Sequence, residues 1–306
     1  MFTDLFSRSG LSLDRLRSFL ALAHAGSIAK AAPGDVTRQS QISRQVGELE
    51  AFFGSELTER RGKTLALSEA GKRLAMLIQQ QMQDLDDFRI EQSQAKKAFT
   101  IGTSASVLDW LVVPAMAGIR AALDHATVRL MAMRSRALVD AVRDGRIDFA
   151  IVREDAIPNV SRAGTLSLLK LRFYLCIPKK LIKRGTTTEE LSKPSLWQTL
   201  PFAAGNDGGQ LDSTIREAMQ AAGVEFRPVV ECSSMLQARQ LIERGECAGI
   251  LPSLGLATLP SNDTHIVEFA PLKSHGRHLV LHWNERQMRR RGVTKEQMEL
   301  IAHALR

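Results

Sequence analysis

Apolar positions recur at helical spacing from the start of the chain. Leu13, Leu16, Phe19, Leu20 and Ala23 fall three and four residues apart, which predicts an amphipathic helix over residues 13–24. Gly26 ends it, and Ser27 is placed to cap a short second helix over Ile28–Ala32, where Ala31 and Ala32 let a neighbour approach closely. Pro33-Gly34-Asp35 then breaks the chain, because proline lacks a backbone donor and glycine permits positive φ. A third helix is predicted from about Thr37 to Phe52, with Ile42, Val46, Leu49 and Phe53 as its buried stripe. Turning by about 100° per residue sets Thr37, Ser40, Arg44 and Gly47 on the opposite face, with Gln41 and Ser43 beside them. Gln39 and Gln45 fall nearer the core edge.

The pattern then changes twice. Residues 57–68 read as a β-hairpin turning at Gly62-Lys63, with Leu65 and Leu67 alternating inward. Residues 69–95 carry no proline and place Leu74, Leu77, Ile78, Leu85 and Phe88 near three-and-four spacing, a long helix with an apolar seam interrupted at Gln81. From about residue 98, short apolar runs alternate with helical ones. Strands are predicted at 99–106, 127–133 and 148–152, helices at 108–123 and 138–143. A second set follows between 171 and 253, and the chain returns with HIVEF (265–269) and LVLHW (279–283). Such an interrupted series implies a largely parallel α/β sheet in two lobes with a cleft between them.

Composition adds bounds rather than a function. The 306 residues suit two or three domains, and 44% hydrophobic with 24% charged residues is globular. No apolar run reaches the roughly 18 residues of a membrane span. The opening MFTDLFSRSG lacks the apolar stretch of a secretory signal. Cys176, Cys232 and Cys247 have neither disulfide-framework nor zinc spacing, and a reducing cytoplasm fits them. The net charge of +8 is misleading: residues 1–95 hold 12 basic and 12 acidic side chains, so the excess lies downstream. Any nucleic-acid contact must come from local placement.

The polar face of the third helix has that placement. Amides and guanidinium groups bond base edges, and hydroxyls bond phosphates; a solvated helix face is the bland alternative. Arg60, Arg61 and Lys63 bracket a hairpin tip suited to phosphates or a minor groove. The segments FLALAHAGSIAKAA, QSQISRQVGELEAFFG and LTERRGKTLALSEAG, in that order and spacing, resemble the LysR-type transcriptional regulators. The resemblance implies DNA contacts at Arg38, Gln39, Ser40, Ser43 and Arg44, beside Thr37 on the same helix. It implies wing contacts at Arg60, Arg61, Lys63 and Thr64. The chain departs from the family at Asp35, Arg38 and Thr58, and Pro33-Gly34 stands where the family's second helix continues. Asp35 or Thr37 is then expected to cap the third helix.

ALVDAVRDGRIDFAIV and ARQLIERGECAGILPS are similar to the same family's effector-binding domain, which resembles periplasmic binding proteins. The expected fold is α+α/β: a winged helix-turn-helix at 1–69, a linker helix at 70–95, and an effector domain at 96–306. Lobe I takes about 96–170 and 266–306, lobe II about 171–265. By position the cleft is lined by Thr103, Ser104, Ser106, Arg134, Ser135, Asn206, Asp207 and Ser233, each with helix capping as its ordinary use. If the first two strands of the sensor are parallel neighbours, Arg134 and the hydroxyls of 103–106 meet at one sheet edge and favour a small anion. The alternative makes Arg134 a surface residue among Arg129, Arg136 and Arg143.

The resemblance also implies that Leu74, Ile78, Leu85 and Phe88 pair two chains, giving a homodimer or homotetramer. Its partners are then double-stranded DNA, a small-molecule effector and RNA polymerase. No cofactor is expected, and no membrane. No GxSxG, HExxH or phosphate-loop motif points to an enzyme, and GNDGG reads as a turn. His275, His278 and His282 are the best metal candidates but lack a completing ligand. A solute-binding protein would share the second half but has no use for residues 13–68, and a hydrolase would need a nucleophile and base that no segment supplies.

Overall fold

The computed structural model describes the chain except residues 1–4, 6, 62–63, 94, 159–163, 206–209, 258, 260–261 and 276. It divides into two units, Met1–Lys97 with Arg143–Arg146, and Ala98–Val142 with Ile147–Arg306.

In the first unit each helix starts where a side chain replaces a missing backbone acceptor. Ser12 caps α1 (Leu13–Ala25), which ends at Gly26 with φ +74°. Ser27 caps α2 (Ile28–Ala31). Asp35, rather than Thr37, caps α3 (Val36–Phe53): its Oδ1 accepts the Arg38 N–H at 2.8 Å. Phe19, Leu22, Ile42, Val46, Leu49, Leu57 and Ile78 form one buried core. The expected stripe residue Phe53 is 39% exposed, while Phe52 is buried. The stripe runs out before the helix does, and the chain at Gly10 lies close against Phe52 instead.

A hairpin follows, β1 (Thr58–Arg61) against β2 (Thr64–Leu67), with Arg61 opposite Thr64. Glu50 Oε1 ties its start to α3 by accepting the N–H groups of Leu57 and Thr58 and the Thr58 hydroxyl. Ser68 then caps α4 (Glu69–Gln92). Only glycine fits at position 71, since a Cβ there would stand 2.0 Å from the Leu57 carbonyl oxygen.

The second unit holds a five-stranded sheet in the order β4-β3-β5-β12-β6. β3 (Ala98–Thr103) runs parallel to β4 (Thr127–Ala132) and β5 (Phe149–Arg153). β12 (Arg277–Trp283) is antiparallel to β5 and to β6 (Thr165–Leu171). The sheet is therefore mixed, not largely parallel, because the returning chain inserts β12 between β5 and β6. The other lobe pairs β7 (Phe173–Pro178) antiparallel with β10 (Gly249–Pro252) and β11 (Thr264–Glu268). Beside it, β8 (Ala203–Gly205) runs parallel to β9 (Val230–Cys232). Because β11 pairs with β7, HIVEF stays in the second lobe and the chain crosses back only after Glu268.

The helix anticipated over 108–123 is broken. A π-turn spans Leu108–Val112, and α5 (Met116–Ala122) follows at a bend of 81° around Pro114, which cannot donate a helical bond. Among the described residues no single helix is long and apolar enough to cross a membrane.

One ion pair is buried under this sheet. Arg291 Nη1 donates to Asp148 Oδ1 at 2.6 Å, and their side chains are 2% and 7% exposed. Gln287, at the end of α8 (Glu285–Arg290) nearest β12, donates to the same oxygen, and the Thr100 N–H fills Asp148 Oδ2. The guanidinium also donates to the Ala98 carbonyl and lies 4.3 Å from the Phe99 ring centre. Removing one member leaves a buried charge uncompensated. Arg291→Met should therefore destabilise the chain by about 3–5 kcal/mol, read as a lower urea midpoint at unchanged slope. A midpoint equal to the parent's would mean that the pair is not stabilising the fold.

Candidate nucleic-acid interface and ligand cleft

The outward face of α3 is hydroxyl and guanidinium. Thr37, Ser40, Ser43 and Arg44 are exposed, and Arg44 Nε stands 3.8 Å from Glu48 Oε1. Arg38 donates to Gln41 Oε1 at 2.9 Å, pre-setting two neighbouring polar groups. Gln39 is used differently, since its Nε2 donates to the Ala32 carbonyl at 2.8 Å and holds the turn between α2 and α3. The inner side is fixed by bonds that the apolar periodicity does not reveal. The Ser18 hydroxyl donates to Gln45 Oε1 at 2.5 Å, and Arg15 pairs with Glu48. Both link α1 to α3, so the angle between the helices is set by polar geometry as well as by packing.

Arg60, Arg61 and Thr64 sit on the hairpin strands, while Lys63 lies outside the described residues. On α4, Leu74 packs against the head core and Ile78 is buried in it. Leu77, Leu85 and Phe88 are 56%, 57% and 61% exposed. Relative to Leu77 at 100° per residue, they fall within one quarter-turn of the helix. Leu74 and Ile78 share that side of the helix, so the apolar seam is one face, in contact with the head core at Leu74 and Ile78 and left outward at Leu77, Leu85 and Phe88.

In the sensor unit β3 and β4 are parallel neighbours, with Thr103 opposite Ala132, so the turns after them leave one sheet edge. Ser104 and Ser106 lie there with hydroxyls 3.5 Å apart, and Ser104 makes no side-chain cap bond. Arg134 is exposed and precedes α6 (Ser135–Arg143), on which Ser135 is the first residue. Thr103 is not available there. It is 1% exposed, and its hydroxyl donates to the Ile151 carbonyl at 2.6 Å, because odd-numbered β3 side chains turn into the core. Ser233 donates its N–H and its hydroxyl to Gln237 Oε1, in α7 (Met235–Glu243), which is a capping use. Asn206 and Asp207 lie outside the described residues.

Two arginines at the same edge escape sequence reasoning. Arg153 ends β5, and Arg277 begins β12 two residues beyond the Leu279–Arg153 pairing. The signal was present, since Arg153 follows an apolar strand run just as Arg134 follows TVRLMAM. Burial, and then the neighbouring Arg153 guanidinium, hold Arg277 below the usual arginine range, with Asp155 pulling the other way. Trp110, on the π-turn, lies against Gly255, and its indole N–H is buried without an acceptor.

His282 is buried, pushed below the usual histidine range by that burial, with Nδ1 3.2 Å from the Gly164 carbonyl; His278 is exposed. The described residues contain no cluster of three or more metal-ligating side chains. Cys232 and Cys247 sit in one small apolar cluster, and burial raises both thiols. Burial pushes Cys176 up to about 12.

Comparison with known proteins covers both units. Residues 13–72 match the family described as bacterial regulatory helix-turn-helix protein, lysR family, and residues 92–299 match the LysR substrate binding domain. The chain is 24% identical over 238 residues to the HTH-type transcriptional regulator TdcA of Escherichia coli K12, covering 76% of this chain and 75% of that one. In fold it is similar to full-length OxyR from Pseudomonas aeruginosa, with a TM-score of 0.60 at 17% identity over 97% of this chain and 95% of that one. It is similar also to CbnR in complex with its target DNA, with a TM-score of 0.55 at 19% identity over 96% of this chain and all of the other.

The cap at Asp35 makes a direct prediction. Asp35→Ala should cost about 1 kcal/mol of stability, measured by chemical denaturation, because the first turn of α3 loses its acceptor. Thr37→Ala should leave stability unchanged. Equal losses at both positions would return the capping role to Thr37.

Proposed function

The chain belongs to the LysR family of bacterial helix-turn-helix regulators, and we propose that it sets transcription by docking α3 in the major groove under control of a small anion. Its N-terminal unit is a DNA-binding helix-turn-helix and its C-terminal unit an effector-binding domain. The reading rests on one observation above the rest. α3 buries Ile42, Val46 and Leu49 in the head and turns Thr37, Ser40, Ser43 and Arg44 outward, an apolar anchor behind a face of donors.

On DNA, Arg44 and Ser40 contact base edges, and Arg38 and Ser43 contact the backbone. Thr37 serves at the edge of the face, and Gln39 acts through the turn it holds. Arg60, Arg61, Lys63 and Thr64 bring the hairpin to phosphates. Two heads are needed to read two half-sites about one helical turn, roughly 34 Å, apart. The outward stripe of Leu77, Leu85 and Phe88 on α4 supplies the contact of a homodimer or homotetramer. Leu74 and Ile78 steady that helix from the head side.

The effector enters between the lobes at the edge holding Ser104, Ser106, Arg134 and Ser135, and Asn206, Asp207 and Ser233 are the further positions assigned to it from the sequence. A guanidinium and three serine hydroxyls there favour a carboxylate or similar anion. Binding shifts the lobes only insofar as the anion prefers one arrangement over the other. The protein acts in the cytoplasm, with RNA polymerase as its further partner, and its role is regulatory rather than catalytic.

Base and backbone contacts are separable by mutation. Arg44→Ala should cost about 1–3 kcal/mol at a specific site and relax sequence preference at the base it reads. Lys63→Ala should weaken all duplexes alike and reduce the salt slope by about one. Fluorescence anisotropy with the chain's own upstream duplex and a scrambled one distinguishes the two. Unchanged affinity and preference in Arg44→Ala would move the docking face off α3.

A further inference from the structure

Folding does not explain the side chain at the start of α3. Val36 is the first residue of that helix and, at 74%, the most exposed large apolar side chain among the described residues. It lies outside the apolar core of the head, and a β-branched side chain is a weaker helix former than most, so neither packing nor propensity accounts for it. Its place on the helix is informative. Val36 precedes Ser40 by four residues and Ser43 by seven, so at about 100° per residue the three fall within roughly one sixth of a turn. All three are exposed, and Gly47 continues the line without a side chain. The Cα–Cβ bonds of a helix tilt toward its N-terminus, so the valine leads that line out past the helix end. A recognition helix meets base edges with just these N-terminal residues.

The polar members of the line leave one feature of a major groove unread. Hydroxyls bond bases of several kinds, whereas the C5-methyl of thymine accepts no hydrogen bond and is recognised by apolar contact. The acidic cap turns this corner toward the bases. A bare helix start attracts phosphate, but here the exposed Asp35 carboxylate, bonded to the Arg38 N–H, adds a negative charge that repels the strand backbone. We propose that Val36 is a specificity-determining residue, packing on the C5-methyl of one thymine in each half-site. The inference rests on the docking of α3 in the major groove and adds to it a preference that no hydrogen bond supplies. One methyl group taken out of water is worth about fourfold in affinity, which sets the size of the discrimination between thymine and uracil.

The test takes the duplex that the full chain selects from a random pool and replaces its thymines by deoxyuridine one at a time. Each replacement removes a methyl group and keeps every base-pairing bond. Affinities are read by fluorescence anisotropy at one salt concentration. The wild type should lose about fourfold at one thymine of each half-site. Val36→Ser should bind the thymine and uracil forms of that position alike, with the urea midpoint of the parent because the side chain removed is not packed. No loss in the wild type at any thymine, or a loss that persists in Val36→Ser, would overturn the proposal. Persistence in Val36→Ser with disappearance in Thr37→Ser would assign the methyl contact to the neighbouring threonine. A lowered midpoint with equal weakening on every duplex would overturn it too, by making Val36 a structural residue. Selection of no duplex at all would remove the docking of α3 and this inference with it. Selection without a methyl effect that depends on Val36 would remove this inference and leave the docking standing.

Discussion

Asp148 and Arg291 meet where water does not reach, and a charge so placed persists only with nearly all of its bonding capacity used. The two side chains therefore fix everything they touch. Asp148 takes the Thr100 N–H and the Gln287 amide, while Arg291 takes the Ala98 carbonyl and covers Phe99. Together they tie the starts of β3 and β5 to α8 and to the turn that follows it. Since a strand that begins at a fixed point also ends at one, the same pair positions the opposite edge. Ser104, Arg134 and Arg153 emerge there, and Arg277 arrives from the returning chain. The ion pair lies at one end of the sheet and the ligand chemistry at the other.

The DNA-binding head follows a related logic with cheaper parts. Its apolar core is small, so polar bonds supply the definition that packing alone would leave loose. Ser18 with Gln45 and Arg15 with Glu48 set α3 against α1, and Gln39 holds the turn before it. What remains on the outside of α3 is free of these duties, apart from the loose pairing of Arg44 with Glu48. A groove-reading surface needs that division, because a side chain committed to the fold cannot also be aimed at a base.

Local chemistry was legible in the sequence, and partnership across distance was not. Helical spacing placed α1, α3 and α4 within a few residues, and the Pro33-Gly34-Asp35 break pointed to the cap that Asp35 makes. The order and orientation of β12 escaped, because periodicity says which face of a strand is buried and nothing of its neighbours. Thr103 looked like a cleft hydroxyl, but the alternation of β3 turns it inward to Ile151. Ile78 looked like part of a dimer seam, and only the packed head reveals that its side chain is already taken. Arg153 and Arg277 are 124 positions apart, and no spacing rule unites residues that a sheet brings together from opposite ends of a domain.

Sequence-selective DNA binding by the head is the property on which the regulatory role depends above all. The most direct measurement is the affinity of the full chain for its own upstream duplex and for a scrambled duplex of equal length, over a series of salt concentrations. A regulator built this way binds the upstream duplex more tightly by about a thousandfold or more, with both affinities falling steeply as salt rises. Equal affinity for the two duplexes at every salt concentration would contradict it.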